Sequence, residues 1–136
     1  MKKLRLPIVP PTTLNMRRRT FRQIKARSDA AHHHSVYVVL LDGAAAKTRE
    51  LRRANPKRDP AKPCIYVGMT GLKPEERFAN HKNGVKASSI VTEFGVRLLP
   101  ELYEIYNPMP FDVAAVMEQE LAEDLRRQGY AVAGGH

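Results

Sequence analysis

The chain has 136 residues, 43% of them apolar, and 23 Lys and Arg against 14 Asp and Glu give it a net charge of +9. That length suits one domain with a packed core, and it excludes wholesale disorder. No apolar run is as long as a membrane span, "MKKLRLPIVPPTTL" lacks the apolar stretch of a secretory signal, and a lone Cys64 excludes an internal disulfide, so a cytoplasmic protein is expected.

The charge is uneven. Residues 1–60 carry 15 basic and 4 acidic side chains, residues 61–136 carry 8 and 10, and the first 27 carry nine basic and no acidic ones. Such an excess points to a polyanion, with nucleic acid the commonest partner. A generic solubilising surface is the alternative, but it does not account for the asymmetry.

Residues 1–34 read as a basic N-terminal extension. Pro7, Pro10 and Pro11 keep its start extended. Leu14, Phe21 and Ile24 lie at near-helical spacing among Arg17, Arg18, Arg19, Arg22 and Lys25. That pattern predicts a basic amphipathic helix able to clamp nucleic acid. His32, His33 and His34 diverge on any regular element, so they suit a loop near phosphate better than a metal site. "SVYVVLL" (35–41) predicts a central strand. Residues 42–63 form a basic insertion with helical turns within Ala44–Arg53, ended by Pro56 and Pro60. It is either a solvated loop or a segment overhanging the substrate path. "CIYVG" is the next strand, parallel or antiparallel to the first, and Cys64 within it reads as a small buried hydrophobe.

A helix starts at Pro74, with Glu75 and Glu76 in its first turn and Gly84 as its stop. "VRLLPELYEIYN" holds a third strand, with Pro100 at an edge or bulge. Asp112 can cap a last helix that Gly129 ends, and "YAVAGGH" can add a short strand. The expected fold is α/β (α+β).

Three groups of residues carry chemistry. Glu118 has Ala114, Ala115, Leu121, Ala122 and Leu125 as its helical neighbours, which puts a carboxylate on the face that packs on the sheet. Such a group is costly unless it is ion-paired or binds a cation, so a structural pair with an arginine and a metal-binding or catalytic role both stand. Arg77 and His81 face one way at i,i+4, a spacing that suits phosphate binding and equally a surface coincidence. Tyr37 and Tyr66 sit in apolar strands, where core tyrosines are also common.

In order, these residues resemble the GIY-YIG nuclease family over about residues 35–136. "SVY" (35–37) stands in register with the first motif, with Ser35 and Val36 replacing Gly and Ile. "YVG" (66–68) is similar to the second, and Thr70 follows at the usual short distance. "RFANH" supplies Arg77 and His81, and "AAVMEQEL" supplies Ala114 and Glu118. Residues 42–63 are an insertion relative to compact members. Many members carry a C-terminal asparagine that positions the glutamate, whereas here no asparagine follows Asn107.

The resemblance implies a small, mainly antiparallel three-stranded sheet flanked by helices, and Mg²⁺- or Mn²⁺-dependent cleavage of DNA in preference to RNA. It implies Tyr37, Tyr66, Arg77, His81 and Glu118 as catalytic residues, with Glu118 the metal ligand and Tyr37 the general base. Thr70, Lys73, Lys82, Arg17, Arg18 and Arg19 are expected to bind substrate. The alternative is a nucleic-acid-binding module of the same fold with weak or no turnover. A weaker third reading is a basic RNA-binding structural protein, in which Glu118 pairs with an arginine.

Overall fold

The computed structural model describes residues 32–135; the expected helix within 13–27, with Arg17, Arg18 and Arg19, and also His136 lie outside the described residues. Strand β1 (Ser35–Leu41) is buried at six of its seven positions, as its β-branched, apolar run predicts for a central strand. It pairs antiparallel with β2 (Cys64–Thr70) from Ser35↔Thr70 to Leu41↔Cys64, which settles the direction that the sequence left open. β3 (Gly95–Leu98) adds antiparallel to the other edge of β1. β4 (Ala131–Gly134) adds parallel to β2, from Cys64↔Ala131 to Val67↔Gly134.

The sheet therefore has the order β3-β1-β2-β4, with four strands in a mixed arrangement rather than the expected three. The fourth is the short strand foreseen in the tail. Its parallel pairing requires a crossover connection, and the last helix supplies it. The fold is mixed α/β.

Four α-helices lie among the described residues: α1 (Arg49–Ala54), α2 (Pro74–Lys82), α3 (Ser89–Phe94) and α4 (Phe111–Arg127). α2 begins at Pro74, carries Glu75 and Glu76 in its first turn, and gives way to Gly84 at φ +75°. α4 starts earlier than expected. Pro110 occupies the cap and Asp112 lies inside the first turn, where its charge meets the helix dipole without capping a backbone amide. The third strand stops at Leu98, and the chain continues as two 3₁₀ turns, Pro100–Leu102 and Glu104–Tyr106. Pro100 has no N–H for a ladder, and Leu102, Tyr103 and Tyr106 bury their side chains from the turns instead. No helix among the described residues is long and apolar enough to cross a membrane.

The insertion is ordered by its own caps. Asp42 accepts from Ala44 N–H to start a 3₁₀ turn (Gly43–Lys47), and Thr48 caps α1. Its helix α1 packs against β4, at the outer edge of the sheet. There the buried Asn55 accepts from Val132 N–H (2.9 Å) and donates to Val132 O (3.0 Å), as a neighbouring strand would. Its Nδ2 also donates to Leu51 O, and its Oδ1 accepts from Arg126 Nε. One side chain thus covers an open sheet edge.

Asn107 does the same for β1, accepting from Val36 N–H (2.9 Å) and donating to Val36 O (2.8 Å). Replacing Asn55 by Ala strands the buried Val132 amide and the Arg126 guanidinium. We expect a loss of roughly 3 kcal/mol in urea unfolding and faster proteolysis within 47–62.

Candidate functional site

The antiparallel register places Tyr37 opposite Gly68, so Tyr66 lies diagonally across the same face. Their ring centroids are 6.2 Å apart, and the His81 ring completes a triangle at 6.0 Å from Tyr37 and 5.7 Å from Tyr66. Gly68 makes the triangle possible: a Cβ there would stand 2.6 Å from Cζ and Oη of Tyr37. His81 reaches in from α2, while Thr92 Oγ1 donates to its carbonyl at 2.7 Å and braces that turn of the helix.

The tautomer of His81 follows from its two neighbours. Ser88 N–H donates to Nδ1 at 3.0 Å, so Nδ1 carries no proton. The ring proton of the neutral imidazole is then on Nε2, which donates to Tyr37 Oη at 2.8 Å. Burial, and secondarily the charge of Arg77, push the imidazole down to about 4, so it is neutral at pH 7. His81 is therefore a hydrogen-bond donor to the Tyr37 oxygen, not a cation. That leaves the phenol's own proton free to point elsewhere.

Both tyrosines are held above their ordinary pKa, first by burial. For Tyr37 the next cause is Tyr66, and the charge of Arg77 acts in the opposite sense. For Tyr66 the carboxylate of Glu118 is the second cause, and Arg77 again opposes. Ionising either phenol needs further positive charge. Tyr37→Phe keeps the ring and removes the one acceptor that His81 Nε2–H has among the described residues, so we expect a loss of about 1–3 kcal/mol by thermal melting.

Arg77 donates to the carbonyls of Val85 (3.3 Å) and Lys86 (2.8 Å), which aims its guanidinium along the turn after α2. Glu118 enters from α4, among the buried Ala114, Met117, Leu121 and Ala122. It is only 6% exposed, and its carboxylate makes no hydrogen bond or ion pair among the described residues. Burial alone pushes its carboxyl up to about 7. The arginine partner that a structural pair would require is absent among the described residues.

A buried, unpartnered carboxylate fits a cation. Among the described residues no three His, Cys, Asp or Glu side chains converge on one point. A divalent ion would accordingly be held by Glu118 with waters and substrate oxygens, which is usual for Mg²⁺.

The other expected residues separate. Thr70 uses its hydroxyl within the turn, accepting from Leu72 N–H at 3.0 Å. Lys82 Nζ donates to Thr92 O (3.1 Å) and Gly95 O (3.0 Å), tying α2 to the start of β3. Lys73 is exposed at the N-cap of α2. His34 pairs its backbone with Met109 and stacks edge-on against Phe111 at 5.2 Å, which gives it a structural place in the histidine run. Cys64 is buried, as expected, and burial raises its thiol.

The sequence offered no sign of Ser88, whose backbone amide sets the imidazole tautomer from seven residues away. Asn55 and Asn107 each precede a proline, which reads as a turn and conceals their role as edge partners. No protein-family model, no curated protein and no solved structure matches this chain.

Proposed function

We propose that this protein is a metal-dependent endonuclease of GIY-YIG type that hydrolyses phosphodiester bonds in DNA. The observation that carries the reading is the Glu118 carboxylate, buried and unpaired among the described residues, whose charge, like that of Arg77, is felt by both Tyr66 and Tyr37. The antiparallel β1–β2 pair, with the Arg77–His81 helix packed on β1 and β3 and the Glu118 helix packed on β2 and β4, supports the same family reading.

Each residue has a role in this scheme. Glu118 would hold Mg²⁺ or Mn²⁺, which when bound supplies positive charge to the leaving 3′ oxygen and the phosphoryl oxygens. Arg77 offers its fork to the non-bridging oxygens, where negative charge grows. Tyr37, once its phenolic proton has passed to solvent, is held as a phenolate by the hydrogen bond from His81 Nε2; it then takes the proton of the attacking water and becomes the neutral phenol. Tyr66 orients water or phosphate at the open side of the aromatic triangle.

The test is nicking of supercoiled and branched DNA in Mg²⁺, Mn²⁺ or EDTA. Scission that needs the metal is the expected result. Tight, salt-sensitive binding without scission in either metal would replace the enzyme with a binding module.

A further inference from the structure

The insertion brings basic side chains to two concavities away from the aromatic triangle. One, of about 640 Å³, is lined by Lys47, Arg49, Arg52 and Arg53. None of these four forms an ion pair among the described residues. The other, of about 720 Å³, lies where the end of the insertion meets the last turns of α4, and Lys57, Arg58 and Arg126 line it beside Arg127 and Glu123.

The charges in this second cavity differ in kind. Arg127 is neutralised by Asp124 (3.1 Å) and Glu123 (3.4 Å). Among the described residues Arg126 donates only to neutral acceptors, Asn55 Oδ1 and Val132 O, so its charge is not offset there. Arg58 donates through Nη2 to Lys62 O at 3.3 Å, and its Nε is buried with no acceptor. Lys57 is exposed and makes no polar contact among the described residues. Three uncompensated cations thus face one hollow, and one of them carries an orphaned buried N–H. Guanidinium and ammonium groups without an anionic partner suit a phosphate, to which an arginine can offer two N–H donors at once.

We infer that this hollow is a second phosphate-binding site, in which Lys57, Arg58 and Arg126 grip the sugar-phosphate backbone of nucleic acid beyond the β4 edge of the sheet. Arg126 lies eight residues along α4 from Glu118, roughly 12 Å at 1.5 Å per residue, so one duplex can reach both. The inference rests on the reading above for nucleic acid as the polyanion, but it does not require that the protein cleave it. The insertion is then a binding element built onto a strand edge, not a passive loop.

The test uses the full chain and a fluorescein-labelled DNA duplex in EDTA, with anisotropy followed from about 50 to 200 mM salt. Lys57→Ala, which removes no polar contact among the described residues, should weaken binding and lower the slope of log K against log salt by about 0.9; Lys57→Ala combined with Arg58→Gln should lower it by about 1.8. Wild-type slopes and affinities in both variants would overturn the site while leaving the hydrolase reading intact. Reduced slopes in a protein that never nicks DNA would keep the site and remove the hydrolase reading. A wild-type chain that binds no duplex would overturn the inference outright.

Discussion

Glu118→Gln is expected to abolish metal-dependent scission and, at pH 8, to raise the melting temperature. Enzymes seldom gain stability by keeping a buried carboxylate unpaired, and here the cost has a pH window. The carboxyl titrates near 7 in the fold against an ordinary 4.5, so its neutral form is favoured by folding. The sign follows directly: the carboxyl's contribution is fully present below pH 4.5 and is lost as pH rises toward 7. Each pH unit in that window removes about 1.4 kcal/mol, about 3 kcal/mol in all. Glutamine carries no such charge, and after the cost of burying its amide we expect a net gain of roughly 1–2 kcal/mol at pH 8.

His81 has the opposite slope. Its imidazole is held near 4 against an ordinary 6.5, so its contribution is present above 6.5 and is lost as pH falls toward 4. Between pH 4.5 and 6.5 the two slopes offset each other. Removing the carboxyl exposes the histidine slope, about 1.4 kcal/mol per pH unit, rising with pH. Urea unfolding of both proteins at pH 5, 6 and 8 reads this out. A lower melting temperature at pH 8 with an unchanged pH profile would mean that Glu118 has a stabilising partner, and undiminished scission would end its catalytic assignment.

Arg77→Ala should cut single-turnover scission by about 10²–10³-fold, the loss typical of one preorganised donor at a developing oxyanion. The melting temperature should change little, because Arg77 is partly exposed and its bonds to Val85 O and Lys86 O are to carbonyls of a turn. Arg77→Lys keeps the charge without the planar fork and should fall between the two. A second readout does not depend on activity. The Arg77 charge is the smaller of the two causes that depress His81, behind burial, so an NMR titration of the Ala variant should move the imidazole modestly upward. Scission within threefold of wild type and an unmoved His81 would reduce Arg77 to a brace for the turn at Val85 and Lys86.

Periodicity and local chemistry made much of this legible. The β-branched runs at 35–41 and 64–70 could pack only as inner strands, and Pro74 with two following glutamates could only open a helix. Glu118 stood out because its neighbours at three and four residues are apolar whichever sheet they pack on. The fourth strand was harder to read, since four residues of Ala, Val and Gly carry too little pattern to specify a partner or a direction. The register of Tyr37 opposite Gly68 depends on two segments 31 residues apart, and no local signal encodes it.

By itself, the sequence determined which residues were chemically anomalous: a carboxylate on an apolar face, an arginine and a histidine one turn apart, and a strongly basic first part against a slightly acidic remainder. These are properties of spacing and composition, and they survive any arrangement of the elements. Only the tertiary structure decided which anomalies share a site. It set His81 as a neutral donor through the Ser88 amide, engaged Thr70 and Lys82 in local bonds, and carried the basic insertion to the β4 edge through Asn55. The physical reason is the same in each case. A polar group acts through whatever meets it at 3 Å, and across long separations in the chain only packing determines what that is.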